Sequence, residues 1–228
     1  MGQKLFQQER QEKIIDLLAR EGRVSVADLS ERFDVSQATI RTDLDALAAQ
    51  RLLTRTHGGA LALNQDRLEL SFDFRRRINA AQKSRIGAAA AAMIEDGEAI
   101  VLDASTTALA VAAQIKDRRE LTVITNGVFI ALALLDVPGV TVLLPGGFLR
   151  RDSVSLVGDE GHEFINQFNF QKGFFGAKGL TLEQGLTDVN SDEVAIKRDL
   201  VARAGKVIAV MDSSKWGRVG FASFAPIE

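Results

Sequence analysis

The stretch that most constrains this chain is residues 35–60, V-S-Q-A-T-I-R-T-D-L-D-A-L-A-A-Q-R-L-L-T-R-T-H-G-G-A. Ser36 suits a helix N-cap. Ile40, Leu44, Leu47 and Ala48 then recur on one face at helical spacing. Ser36, Gln37, Thr39, Arg41 and Thr42 are left on the solvent side of the first two turns. Small hydrogen-bonding residues and one Arg are what a helix needs to meet base edges in a major groove. An ordinary amphipathic surface helix would show the same apolar stripe, so the flanking segments decide between the two. Residues 10–21 carry Ile14, Ile15, Leu17 and Leu18 on a first helix that Gly22 stops. Val24-Ser25-Val26 is short and extended, and residues 26–33 form a second short helix with Ser25 as its cap. Asp34-Val35 is a tight connection into the Ser36 helix. Helix, tight turn and recognition-type helix make a helix-turn-helix. Leu52-Leu53-Thr54-Arg55-Thr56 and Ala60-Leu61-Ala62-Leu63 flank His57-Gly58-Gly59, a hairpin pattern. Packed after the recognition helix, this hairpin is a wing, with Arg55, His57 and Gly58 where a wing meets phosphate or minor groove.

Charge argues less for DNA than the pattern does. Residues 1–60 carry nine Lys and Arg against nine Asp and Glu. The net basic footprint usual for a DNA-binding domain is absent. Binding must rest on local arrangement, with Arg41, Arg51, Arg55 and helix N-terminal amides on one side.

A length of 228 residues, 46% of them apolar, suits two domains with substantial cores. The chain has no cysteine, so neither disulfides nor thiolate metal sites can form. That fits a reducing cytoplasm. Residues 1–14 are polar and the Ala-rich run 88–92 is short and flanked by charges. We therefore expect no signal peptide and no membrane span.

From about residue 97 short β-branched runs alternate with helical stretches. Ala99-Ile100-Val101-Leu102, Leu121-Thr122-Val123-Ile124, residues 140–144 and residues 207–211 are strand candidates. Gly173-Phe174-Phe175-Gly176 is a weaker one. Helices are expected over 106–115, 128–135 and 193–204. This alternation predicts an α/β domain with a largely parallel sheet, whose ligands bind at the carboxyl ends of strands. The residues just past each strand are therefore informative: Asp103-Ala104-Ser105-Thr106-Thr107, Thr125-Asn126-Gly127, Pro145-Gly146-Gly147 with Arg150-Arg151, Gly176-Ala177-Lys178-Gly179, and Asp212-Ser213-Ser214-Lys215. Each alone reads as a turn or cap. Together on one sheet edge they suit a small polyhydroxylated anion, with donors for phosphate and carboxylates for sugar hydroxyls.

Val35-Ser36-x-x-Thr39-Ile40-Arg41-x-Asp43-Leu44 followed by Arg55-x-His57-Gly58-Gly59-Ala60 resembles the winged helix-turn-helix of the DeoR family of bacterial sugar-metabolism regulators. The family usually has a second Arg after Arg41, where this chain has Thr42. Arg75-xxx-Asn79-xxx-Lys83, Asp103-x-Ser105-Thr106-Thr107, Thr125-Asn126, Gly146-Gly147, Gly176-x-x-Gly179, Glu193-xxx-Lys197 and Asp212-x-Ser214-Lys215 extend the resemblance into the second domain. Most members have Gly where this chain has Ser105. The resemblance implies a domain similar in fold to ribose-5-phosphate isomerase that senses phosphorylated sugars or related intermediates. The implied protein is a cytoplasmic homo-oligomeric repressor of a carbohydrate-metabolism operon. It binds operator DNA and a sugar-phosphate effector, without a cofactor, a metal or catalytic residues.

The implied division is a DNA-binding domain over 1–63, a linker over 64–82 and an effector domain over 83–228. The implied DNA-binding residues are Ser36, Gln37, Thr39, Arg41, Thr42, Arg55, His57 and Gly58. The implied effector residues are Asp103, Ser105, Thr106, Thr107, Thr125, Asn126, Gly146, Gly147, Arg150, Gly176, Lys178, Glu193, Lys197, Asp212 and Lys215.

Plainer readings compete at several of these positions. Asn190-x-x-Glu193 matches a capping box, and Glu193 with Lys197 matches an i,i+4 surface pair. Asp212 can simply orient Lys215, and Arg75-Arg76-Arg77 matches a solvated helix face in the linker. His162 has no partner motif and is assigned no role. An isomerase on the same fold is the rival function, and a DNA-binding protein with a degenerate ligand domain is a third. After Lys215-Trp216-Gly217-Arg218 the sequence ends at Ala225-Pro226-Ile227-Glu228, where the family usually continues with a further strand and helix. A truncated chain and a naturally short terminus both fit.

Overall fold

The computed structural model describes residues 5–50, 52–62 and 72–227. The chain divides into two compact units, Met1–Leu70 and Ser71–Glu228.

The first unit opens with α1 (Gln7–Glu21), which Gly22 ends in the left-handed region at φ 73°. Then come β1 (Arg23–Ser25), α2 (Val26–Phe33), α3 (Gln37–Ala49), β2 (Leu53–Thr56) and β3 (Gly59–Ala62). Ser25 caps α2 by accepting from the Asp28 amide, and Ser36 caps α3 by accepting from the Thr39 amide at 3.1 Å. Ile14, Ile15 and Leu18 of α1 meet Val26 and Leu29 of α2 and Ile40, Leu44 and Leu47 of α3 in a buried core. Thr56 pairs with Gly59, so the wing turns through His57 and Gly58 alone. Gly59, expected in the turn, is a strand residue. β3 also pairs with β1 there, and a Cβ on Gly59 would lie 2.0 Å from the Val24 carbonyl oxygen. Arg51 and Leu63 fall outside the described residues.

The second unit begins with α4 (Phe72–Arg77) and α5 (Ala80–Ala91). Residues 72–82, expected to be linker, therefore carry helix. Phe72 is buried, with its ring 4.8 Å from that of Phe129. Gly87 brings the Ala-rich α5 against the following helix so closely that a Cβ would stand 2.5 Å from the Ala110 carbonyl oxygen. Of the 88–92 run, Ala90 and Ala91 join the core and Ala88, Ala89 and Ala92 are exposed.

A parallel sheet comes next: β4 (Ala99–Leu102), α6 (Thr106–Ala112), β5 (Leu121–Ile124), α7 (Val128–Leu134) and β6 (Val140–Leu143). The chain then makes a hairpin of β7 (Phe148–Arg150) and β8 (Ser155–Val157), continuing into α8 (Asp159–Ile165) and β9 (Phe170–Phe175). A second hairpin, β10 (Gly179–Thr181) and β11 (Gly185–Asp188), leads to α9 (Ser191–Ala202) and β12 (Ala204–Ala209). A 3-10 turn at Ser213–Lys215 and β13 (Ala222–Ala225) complete it. The 193–204 helix ends at Ala202, and Ala204 starts a strand. The weak candidate around Phe174 is a full six-residue strand inside the sheet.

The sheet order is β12-β9-β4-β5-β6, all parallel. Side chains alternate across it with the two-residue strand period. Ile100 and Leu102 of β4 join one core with Val111, Ile115 and Leu134, while Val101 joins the other with Phe175, Ile196 and Leu200. The chain moves from β4 outward through β5 to β6, then returns to place β9 on the other side of β4. The connections leaving β4 and β9 diverge, so the reversal of strand order falls between them, and open α/β sheets hold ligands at the carboxyl ends of strands at such a point.

Candidate functional site

In the first unit α3 turns Ile40, Asp43, Leu44 and Leu47 inward, and Ser36, Gln37, Arg41, Thr42 and Asp45 are exposed. The Arg41 guanidinium contacts the Gln37 side-chain oxygen at 3.2 Å, a neutral partner one turn back. The Thr39 hydroxyl is 2.9 Å from that of Ser36, and the Thr42 hydroxyl donates to the Ala38 carbonyl. On the wing His57 and Gly58 are exposed. Arg55 pairs with Asp45 of α3 at 2.7 Å and donates to the Gly59 carbonyl, which ties wing to recognition helix. Other acids are also taken up by cations inside the unit: Asp43 by Arg10 at 2.5 Å, both buried, and Glu21 by Arg32 at 2.9 Å. These pairings make a net charge of zero compatible with an Arg-bearing exposed face.

In the second unit a buried ionic cluster lies at the carboxyl ends of β4 and β9. Asp103, directly after β4, is fully buried. Its carboxylate accepts from the Ser105 amide at 3.1 Å and from the Gly176 amide at 2.9 Å, which clamps the ends of the two strands together. Lys197, 4% exposed on α9, lies 2.9 Å from Asp103 and 2.6 Å from Asp188, and donates to the Gly176 carbonyl at 2.8 Å. Burial pushes the Lys197 ammonium down, and the charges of Asp103 and Asp188 outweigh that and hold it above its ordinary value. Burial likewise pushes Asp188 up, and the Lys197 charge and hydrogen bond hold its carboxyl below the ordinary value. Gly176 must be Gly, since a Cβ would stand 2.4 Å from that of Ser105. The Ser105 hydroxyl caps α6 by accepting from Ala108. Thr106 and Thr107 are buried in its first turn.

One turn before Lys197, Glu193 is 4% exposed. Its carboxylate accepts from Asn126 at 3.3 Å, Arg150 at 3.1 Å, Ser153 at 2.8 Å and Ser155. The capping-box and surface-pair readings of Glu193 and Lys197 are both corrected by this. Asn190 caps α9 by accepting from the Asp192 and Glu193 amides, and the Glu193 side chain turns inward instead of back to the cap. Asn126 is fully buried, and its Oδ1 has no hydrogen-bond partner among the described residues.

The last strand end contributes Asp212, which accepts from the Ser214 amide at 2.9 Å and from the Asn79 side chain. Burial pushes Asp212 up, but the Ser214 and Asn79 bonds hold it below its ordinary value. It therefore does more than orient Lys215. Burial pushes the Lys215 ammonium down; Asp212 opposes this, while Arg218 and Arg75 push it further down.

Thus the structure joins Asp103, Ser105, Gly176 and Lys197 in one cluster and Asn126, Arg150 and Glu193 in another, with α9 carrying a member of each. Thr125 is buried with its hydroxyl accepting from the Gly127 amide, and Lys178 donates its backbone amide to Thr187. Gly147, at φ 124°, passes so close to β8 that a Cβ would lie 2.3 Å from the Val157 carbonyl, and Gly146 has no such contact. The sequence pattern does not single out Ser153 and Ser155. Ser153 in the hairpin turn and Ser155 at the start of β8 look like solvent-facing residues, and only a carboxylate 40 and 38 residues away makes them otherwise. His162, assigned no role, hydrogen-bonds Asp199 between α8 and α9. Among the described residues no His, Cys, Asp and Glu group is arranged to hold a metal ion, and no helix is long and apolar enough to cross a membrane.

The Asp188 shift gives a pH expectation. A carboxyl held below its ordinary 3.8 contributes stability above that value and loses it as the pH falls through its folded pKa. The difference in unfolding free energy between wild type and Asp188→Asn should be largest at neutral pH and shrink below about pH 4. Urea titrations monitored by circular dichroism at several pH values measure it, and a gap independent of pH would contradict the assignment.

Two family models match the chain: the DeoR-like helix-turn-helix domain over residues 10–66 and the DeoR C terminal sensor domain over residues 78–228. The HTH-type transcriptional regulator GolR of Listeria innocua is 39% identical over 224 residues, covering 98% of this chain and 88% of its own. The putative aga operon transcriptional repressor of Escherichia coli O157:H7 is 36% identical over 92% of this chain and 79% of its own. The glycerol-3-phosphate regulon repressor of Escherichia coli K12 is 34% identical over 93% and 84%. Among solved structures, ribose 5-phosphate isomerase A of Methanocaldococcus jannaschii aligns with a TM-score of 0.46 and 13% identity over 60% of this chain and 55% of that one.

Proposed function

Since the chain belongs to the DeoR family of transcriptional regulators, with one domain model on each of its units, we propose that it represses a carbohydrate-metabolism operon under the control of a phosphorylated sugar. Relatives carry the names of repressors of the aga operon and the glycerol-3-phosphate regulon, which supports a repressor of sugar-related genes. In this reading the protein works in the cytoplasm as a homo-oligomer. One recognition helix spans only a few base pairs, and a dimer sets two of them about 34–36 Å apart on one face of the duplex.

The observation that carries the effector reading is the buried Asn126 Oδ1, without a partner among the described residues. A buried acceptor left unsatisfied costs about 1–3 kcal/mol. A ligand hydroxyl donating to it recovers that, beside the Glu193 carboxylate and the Arg150 guanidinium. The phosphate end falls to Lys215 and the hydroxyl-lined start of α6 at Ser105, Thr106 and Thr107. Asp103, Asp188, Glu193, Lys178 and Lys215 carry acid–base chemistry in principle. Lys197, however, is fully engaged with Asp103, Asp188 and Gly176. We assign these groups to holding a ligand, not to turning it over.

A thermal-shift screen with aldose and ketose phosphates beside their parent sugars tests this. At least one phosphate should stabilise the full chain where its parent sugar does not, and Lys215→Ala should lose the shift. A free sugar that stabilises as well as its phosphate would sink the reading. So would turnover of an aldose phosphate abolished by Glu193→Gln.

For DNA, Arg41→Ala should cost roughly 1–3 kcal/mol in operator affinity if Arg41 contacts a base edge with both guanidinium nitrogens. Operator fragments selected from genomic DNA serve for the gel-shift titration. Unchanged affinity would remove α3 from the DNA-reading role.

A further inference from the structure

The wing pattern places Arg55 against phosphate, yet its Nε and Nη1 are taken up inside the first unit. Nε donates to Asp45 Oδ1 at 2.7 Å. Nη1 donates to the Gly59 carbonyl and, at 3.4 Å, to that of Thr56. Gly59 is itself held from both sides, by Ser25 of β1 and Thr56 of β2. The backbone of the wing therefore fixes the Arg55 side chain, which is 26% exposed, while that of Asp45 is 65% exposed. Asp45 falls on α3 at the spacing 38, 41, 42, 45, so it shares one face with Arg41 and Thr42. All four of these positions are exposed. On that face the Thr42 hydroxyl donates to the Ala38 carbonyl and Arg41 donates to Gln37. An acid there is unfavourable to any polyanion that meets the face, and an exposed ion pair contributes little to stability. The Arg10–Asp43 pair, not this one, is the buried anchor of α3. Asp45 calls for another account.

Resting on the reading of α3 as the DNA-reading helix, we propose that Asp45 is a specificity-determining residue. Its carboxylate accepts a hydrogen bond from the N4 amino group of a cytosine in the operator, and Arg55 positions it for this. An ionised carboxylate can only accept. The amino groups on the major-groove edge are cytosine N4 and adenine N6, and adenine sets its N7 acceptor beside the amino group. Cytosine is therefore the base that a carboxylate selects. Against guanine or thymine, which present acceptors there, the carboxylate goes unpaired. Arg55 offsets the negative charge at every sequence, which leaves the base edge to decide between sequences. Such discrimination needs a side chain held in one place, and the Gly59–Arg55–Asp45 chain of bonds holds it from the wing.

The test selects DNA fragments from a random-sequence pool with the full chain. Gel-shift titrations of the selected site, with each base in turn at each position, then read the preferences of wild type and variants. Wild type should require cytosine at one position, where other bases weaken binding about tenfold. In Asp45→Ala that position should become indifferent while the preferences elsewhere stay. In Asp45→Asn it should shift to adenine, whose N6 and N7 match an amide. Arg55→Ala should lose most of the cytosine preference, and Arg55→Lys should recover part of it. Glu21→Gln removes a carboxylate from an exposed pair with Arg32 and should keep the wild-type preferences. A cytosine requirement that is the same in wild type, Asp45→Ala and Asp45→Asn overturns the base-reading role. So does binding by Asp45→Ala that is tighter by one factor for every sequence, the result of removing a charge beside a polyanion. If Arg55→Ala keeps the cytosine preference and binds every fragment more weakly, Arg55 is a phosphate contact and its positioning role falls. A selected site without any cytosine requirement sinks this inference alone. Failure of wild type to select any sequence removes α3 from the DNA-reading role, and this inference with it.

Discussion

Lys197→Met should destabilise the second unit by about 3–5 kcal/mol, the typical cost of removing one partner from a buried ion pair. The substitution keeps an unbranched apolar stem out to Cε, with sulfur in place of Cδ, and removes the ammonium. That ammonium neutralises Asp103 and Asp188, donates to the Gly176 carbonyl and lies 4.9 Å over the Phe224 ring. Asp103 is fully buried, so without Lys197 its charge has no route to water. A loss of this size is comparable with the whole stability of many domains. Adding Asp188→Asn to Lys197→Met should return part of the loss by removing one orphaned carboxylate. Urea unfolding monitored by circular dichroism measures both. A loss under about 1 kcal/mol would mean the pair behaves like a surface one, and the buried-cluster description would be wrong. The same variant should lose the effector response even where it still folds, because Lys197 and Asp103 hold the ends of β4 and β9 at their present spacing.

The parts of this site that are legible in the sequence are the local ones. Asp103, Thr125, Gly176 and Asp212 each come directly after a β-branched or aromatic run, and a parallel sheet brings all such ends to one edge whatever the order of the strands. The order itself is not legible. β9 carries Gln171, Lys172 and Gly173 in succession, a poor strand pattern, yet it lies between β12 and β4. Its place there puts the reversal of strand order between Asp103 and Gly176. Glu193 and Lys197 show how spacing misleads: four residues apart, they match an exposed pair on any helix. What separates the readings is depth, set by partners far along the chain, Asn126 at 67 residues and Ser153 at 40. The helix inside the expected linker is hidden for a related reason. Residues 72–82 are rich in charge, and an apolar contact that anchors them, Phe72 on Phe129, pairs residues 57 apart in sequence.

The helix-turn-helix shows the same division, and it sets the second large expectation. Ser36, Ile40, Leu44 and Leu47 announce α3 through capping and periodicity, and the structure keeps them in those roles. Asp43 carries no such signal, since an acid inside a helix usually faces water. Here it is buried, paired with Arg10 of α1 and accepting from Gln11 as well. Arg10 also donates to the Leu5 carbonyl, so the pair fixes the first turn of α1 against the middle of α3. Asp43→Ala should therefore cost about 3–5 kcal/mol, by leaving a buried guanidinium unpaired. Asp45→Ala, two residues on, removes the exposed partner of Arg55 and should cost at most about 1 kcal/mol. The contrast matters more than either number, because both changes delete one carboxylate from the same helix. Asp43→Ala should abolish operator binding by releasing α3 from α1, while the second unit still responds to a sugar phosphate as in wild type. A charge effect on DNA alone predicts the opposite, since losing either acid next to a polyanion would tighten binding. If Asp43→Ala and Asp45→Ala change stability and operator affinity by the same amount, the buried pair does not position the recognition helix.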